Sequence, residues 1–171
     1  MNETTVKSIG LKYGVILGAV SIAFFLVVYL LDMVGNQALS WLIFVFIGGI
    51  LFLAMKEFKE GNEGFMSFGE GMRNGMLSIG VGSLISTIFG YIFMKFIATD
   101  YLETIEDITR ERLEENPNMT EEQVEQAMQA SSAFMTAEAS AIFGILYTVV
   151  IGLIICLIVS AIMKKDKPGG I

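Results

Sequence analysis

Uncharged apolar runs alternate with short charged stretches along this chain of 171 residues. A helix needs about 20 mainly apolar residues to cross the hydrocarbon core of a bilayer. Tyr13 to Leu31 carries no charge and ends at Asp32. Leu39 to Met55 is also uncharged, holds Trp41 near an expected interface and stops at Lys56. The third run extends from about Gly75 to Ala98, with Lys95 close enough to its end to snorkel. Ala139 to Met163 is the fourth. The pattern predicts an all-α transmembrane bundle with four spans, at about 13–31, 39–55, 75–98 and 139–163, in a single membrane domain covering 1–171.

A different periodicity fills residues 99–138. Tyr101, Leu102, Ile105, Ile108 and Leu113 recur at helical spacing, as do Val124, Ala127, Met128, Ser131, Phe134 and Met135. Asn116, Pro117 and Asn118 separate the two arms, since proline disfavours helix in the residue before it. Thr120 and Gln123 then have the spacing of a capping box that restarts a helix. Each arm is about 27 Å long at 1.5 Å per residue. Equal arms suggest that spans three and four run on out of the membrane as an antiparallel helical hairpin, its apolar stripes facing each other.

Within the spans, small residues recur at every fourth position. Span four shows Ser140, Gly144, Thr148, Gly152, Cys156 and Ser160; span three shows Ser78, Gly82, Ser86 and Gly90; span one shows Gly10, Gly14 and Gly18. Helices in lipid gain nothing from burying apolar surface against one another and associate by close approach at such residues. Spans three and four are therefore expected to form an intimate pair. A polar pathway built from Ser78, Ser83, Ser86, Thr87 and Thr148 is the alternative, although hydroxyls commonly bond back to their own helix.

Charge fixes an expected orientation. Lys and Arg are retained on the cytoplasmic side. Lys7, Lys12, Lys56, Lys59, Arg73, Lys164, Lys165 and Lys167 lie on one side, against Lys95, Arg110 and Arg112 on the other. Both ends are thus expected in the cytoplasm. Lys7 and Lys12 also suit a secretory signal, but the run after them exceeds a usual h-region and no A-x-A site follows. An uncleaved anchor is the expected reading.

Composition narrows the chemistry. The net charge of −7 comes from one place, because residues 99–138 hold eleven carboxylates against Arg110 and Arg112. Such a segment would repel nucleic acid and anionic head groups and attract a basic protein partner or a divalent cation. It contains no EF-hand-type calcium loop. There is no histidine, and the lone Cys156 sits in an apolar run, where a thiol behaves as a small hydrophobe. Membrane-depth segments show neither a carboxylate pair nor a nucleophile with a base, and no intramembrane charge to mark an ion pathway. No catalytic residue, metal ligand or cofactor is expected.

The connector between spans two and three contains Gly64-Phe65-Met66-Ser67-Phe68-Gly69-Glu70-Gly71-Met72-Arg73-Asn74-Gly75. Ser67 and Glu70 have capping-box spacing, so a helix should begin near Phe68. This stretch, leading into a span of a four-span chain with a charged third loop, resembles an uncharacterised family of bacterial membrane proteins, the domain of unknown function numbered forty-one ninety-nine. Gly71 stands where a larger residue would be expected. The resemblance implies an integral inner-membrane protein and supplies no activity. The expected role is a non-enzymatic scaffold or accessory subunit. A small transporter or channel component assembled from several copies is the second reading, since the small-residue faces also suit a homo-oligomer.

Overall fold

The structure, a computed structural model, describes residues 5–168. Among them the fold is all-α, with α1 at Val6–Leu30, α2 at Gln37–Gly61, α3 at Phe68–Ile92, α4 at Tyr101–Glu114, α5 at Glu121–Ser132 and α6 at Ala137–Met163. A π-helical turn, Phe93–Ile97, closes α3. Four of these helices (α1, α2, α3 with its π turn, and α6) are long and apolar enough to cross a membrane. Each is longer than the uncharged run that predicts it. Polar caps set the starts: Thr5 and Ser8 for α1, Asn36 for α2, Ser67 and Glu70 for α3, and Thr136 for α6.

Glycine contacts zip α1 to α3 in parallel. A Cβ added at Gly10, Gly14 or Gly18 would run into Leu77, Val81 or Ile85 respectively. Both series advance by four residues, so one helix presents grooves and the other a ridge of branched side chains. The α3–α6 pair is antiparallel by the same test: Gly71 meets Ser160, Gly75 meets Cys156, and Gly152 meets Ile79. Gly71 sits where α6 and Met66 both come close, since a Cβ there would lie 3.0 Å from the Ser160 Oγ and 3.1 Å from the Met66 Cε, so a larger residue would require those side chains to shift. Gly82 turns instead to Leu17 of α1. The most extensive interface is α1–α3, followed by α3–α6. The expected pairing of spans three and four is therefore present, but second in extent.

At the end of the bundle that carries both termini, the helices are tied together. The Met66 N–H donates to the Lys165 carbonyl at 2.9 Å, and the Lys165 N–H returns a bond to Met66 at 2.8 Å. Lys59 Nζ donates to the Met163 carbonyl at 2.9 Å. Lys12 and Tyr13 both reach Glu57, at 2.6 and 2.9 Å, which joins α1 to α2. Leu51, Ala54, Met55 and Met66 fill the core here without measurable exposure.

The opposite end differs from the continuous stalk that equal arms suggest. Helix breaks at Ala98 (φ −118°, ψ 76°) and at Thr136 (φ −117°, ψ 154°) separate α4 and α5 from the spans. Had α4 run straight on from α3, Ile108 would stand about 16 Å beyond Ile97. Instead Ile108 and Arg112 rest on Gly35 in the α1–α2 turn, and Tyr101 packs on Phe25 and Tyr29 at centroid distances of 5.5 and 6.1 Å. Gly35 meets two demands there, since it has φ +84° and a Cβ would lie 2.9 Å from Ile108. α4 and α5 pack on each other, with Arg110 paired to Glu125 at 3.0 Å.

Candidate functional site

Tight packing at the terminal end does not continue to the loop end. α1 and α3 stay together there through Phe25, Phe89, Phe93 and Tyr29, whose rings meet edge to face at 5.0–6.3 Å. α6 is held to α3 there at its first turn, where Glu138 accepts from Lys95 Nζ at 2.6 Å and from the Tyr91 hydroxyl at 3.2 Å. Further along α6, a Cβ at Gly144 would meet nothing within 4 Å. Between α1, α2, α3 and α6 a cleft of about 600 Å³ opens, with Phe24, Phe44, Ile47 and Ile151 on its walls and Ser86 and Thr148 among its lining residues. Gln37, Ser40 and Arg112 also line it.

The small residues of spans three and four consequently fall into three groups. Ser78, Gly82, Gly152, Cys156 and Ser160 are buried in helix contacts. Ser86 and Thr148 line the large cleft, while Gly90 and Ser140 line a smaller one of about 310 Å³ beneath α4. Gly144 is exposed, and a Cβ there would meet nothing within 4 Å. The stripe does not act as one face because a step of four residues advances about 40° beyond a full helical turn. From Ser140 to Ser160 it winds roughly half-way round α6.

Hydroxyls along α3 bond to their own helix. Ser78 Oγ donates to the Asn74 carbonyl, Ser83 to Gly80 and Ser86 to Ser83, at 3.0–3.2 Å. Asn74 is different: it is fully buried, and neither atom of its carboxamide has a hydrogen-bond partner among the described residues. The sequence signal for it was slight, a single amide just before an apolar run.

For Arg112 the sequence pattern shows only its charge. It is exposed, and its guanidinium donates to the Gly35 carbonyl. Among the described residues no carboxylate lies within ion-pair distance of it, whereas Arg110, two residues earlier, is held by Glu125, which pushes its guanidinium pKa higher still. Burial raises the pKa of the Tyr101 phenol where it packs against α1. Among the described residues no group of three or more Cys, Asp or Glu side chains is arranged to hold a metal ion.

Four helices of spanning length enclosing an interhelical cleft define a helical-bundle protein of the membrane class. The chain belongs to the family described as Protein of unknown function (DUF4199), which it matches over residues 12–165. No curated protein and no solved structure matches it.

Proposed function

We propose that this is a non-enzymatic protein of the bacterial inner membrane that serves as a scaffold or accessory subunit, with both ends in the cytoplasm. Residues 99–138 form its acidic extramembrane hairpin and bind a basic protein partner. One observation carries the reading: α4 is fastened to the bundle through Tyr101, Ile108 and Arg112, while Glu103, Glu106, Asp107, Glu111, Glu121 and Glu122 remain exposed. A carboxylate face held in place loses less conformational entropy on binding than a free loop, and its charge raises the encounter rate with a basic surface.

Photo-crosslinking from Glu122 in the native membrane tests this. A reproducible protein adduct is expected, and it should disappear when Glu103, Glu106, Asp107 and Glu111 are changed to the corresponding amides. Adducts with lipid alone, or an adduct indifferent to those changes, would refute it.

The second reading, a transporter or channel component of several copies, draws support from Ser86 and Thr148 lining one cleft. Flux through vesicles should fall in the Ser86→Ala, Thr148→Ala double variant. Unchanged flux counts against it.

A further inference from the structure

The large cleft is built for an amphiphile. Its volume of about 600 Å³ lies within the range of roughly 300–1,000 Å³ typical of small-molecule sites, which are mainly apolar with a few placed polar groups. The Ser86 hydroxyl is already donated to Ser83, so it makes no demand for a polar ligand. Trp41, Phe44 and Ile151 also belong to a groove of about 470 Å³ that runs between α2 and α6 past Val45 and Ile154. Val45 and Trp41 are 68% and 65% exposed on that side, the surface that faces lipid when α2 spans a bilayer. An acyl chain therefore has a lateral, apolar path from the bilayer into the bundle.

The mouth supplies the complement to a head group. Among the described residues Arg112 is the one cation lining the cleft and has no carboxylate within ion-pair distance, and it uses only part of its five-donor fork on Gly35. A free fork of this kind suits a phosphate, which it can take in bidentate fashion. The acidity around it weighs against a purely anionic ligand: the segment 99–138 holds eleven carboxylates, Glu111 and Glu115 among them. A head group with a phosphate and an ammonium satisfies both conditions.

We infer that the cleft binds a zwitterionic membrane phospholipid of the phosphatidylethanolamine type, with one acyl chain between the aromatic walls, the phosphate at Arg112 and the ammonium toward the neighbouring carboxylates. This site is independent of the scaffold reading and would stand if that reading failed.

Trp41 is the sole tryptophan and lines the cleft, so its fluorescence reports occupancy. The full chain in detergent is titrated with chain-brominated phosphatidylethanolamine. Saturable quenching is expected, with chain-brominated diacylglycerol at least about tenfold weaker, the change that loss of one charged hydrogen-bonded contact produces. Arg112→Gln should bring the phospholipid to the diacylglycerol level without changing diacylglycerol itself, and Arg112→Lys should fall between. Quenching that never saturates, equal affinity for the two lipids, tighter binding of phosphatidylglycerol, or indifference to Arg112→Gln in a folded variant would each overturn the assignment. The comparison of lipids on the unmodified chain decides the matter even if a variant fails to fold.

Discussion

Gly14 lies so close to Val81 that a Cβ added to it would stand 2.6 Å from the Val81 Cβ. Branched carbons cannot swing away from such an encounter, so the two backbones must separate. Gly14→Ala should destabilise the bundle by about 1–3 kcal/mol, the usual range for overpacking. Gly144→Ala is the control, since nothing stands within 4 Å and alanine favours helix over glycine by roughly 0.5–1 kcal/mol. Reversible unfolding in mixed micelles should rank Gly14→Ala below the parent and Gly144→Ala at or above it. Equal losses in both would mean that close approach does not hold α1 to α3.

Asn74 carries an opposite expectation. A buried carboxamide without partners has the desolvation penalty of an unmade hydrogen bond, about 1–3 kcal/mol. Asn74→Leu, similar in volume, should therefore raise the unfolding free energy by about that amount in the same assay. A loss of stability would instead show that the amide is bonded in the membrane.

Tyr101 sets a pH dependence at the loop end. Burial raises its pKa above the ordinary value of about 10. The folded state thus holds the phenolic proton more tightly than the unfolded state does. Its contribution is fully present below pH about 10 and is lost as the pH rises from there through the folded value. Thermal melts between pH 8 and pH 11 should show a steeper alkaline decline for the parent than for Tyr101→Phe, which has no proton to lose. Parallel curves would contradict the burial of this ring.

Orientation is open to direct labelling. Cys156 is buried and should be silent toward an impermeant maleimide in the folded protein. The asymmetry of eight basic residues against three predicts that Asn118→Cys labels in intact cells and Glu60→Cys only after the membrane is opened. The inverse pattern would turn the topology over.

Features written in a few neighbouring residues were legible before the structure. Ser67 with Glu70 and Thr120 with Gln123 form the expected capping boxes, and α4 ends at Glu114 ahead of Pro117. Such signals depend on backbone groups three or four residues away. The cleft did not announce itself, because it depends on where helices part. Gly90 and Gly144 have the same spacing as Gly82 and Gly152, yet only the latter pair meets a neighbouring helix. Arg112 and Arg110 are likewise indistinguishable by pattern, and the fold at Gly35 separates their roles.

The regular step of the α1–α3 contacts has a last consequence. Three equivalent sockets in Gly10, Gly14 and Gly18 meet three equivalent knobs in Leu77, Val81 and Ile85, so sliding one helix by four residues, about 6 Å, would forfeit only one socket of the three. The repeat holds the helices together but is nearly degenerate as a ruler. Alignment must come from parts that do not repeat, and the rings of Phe25 and Tyr29 against Phe93 and Tyr101 occur once. Those four aromatics serve α1 as its index mark.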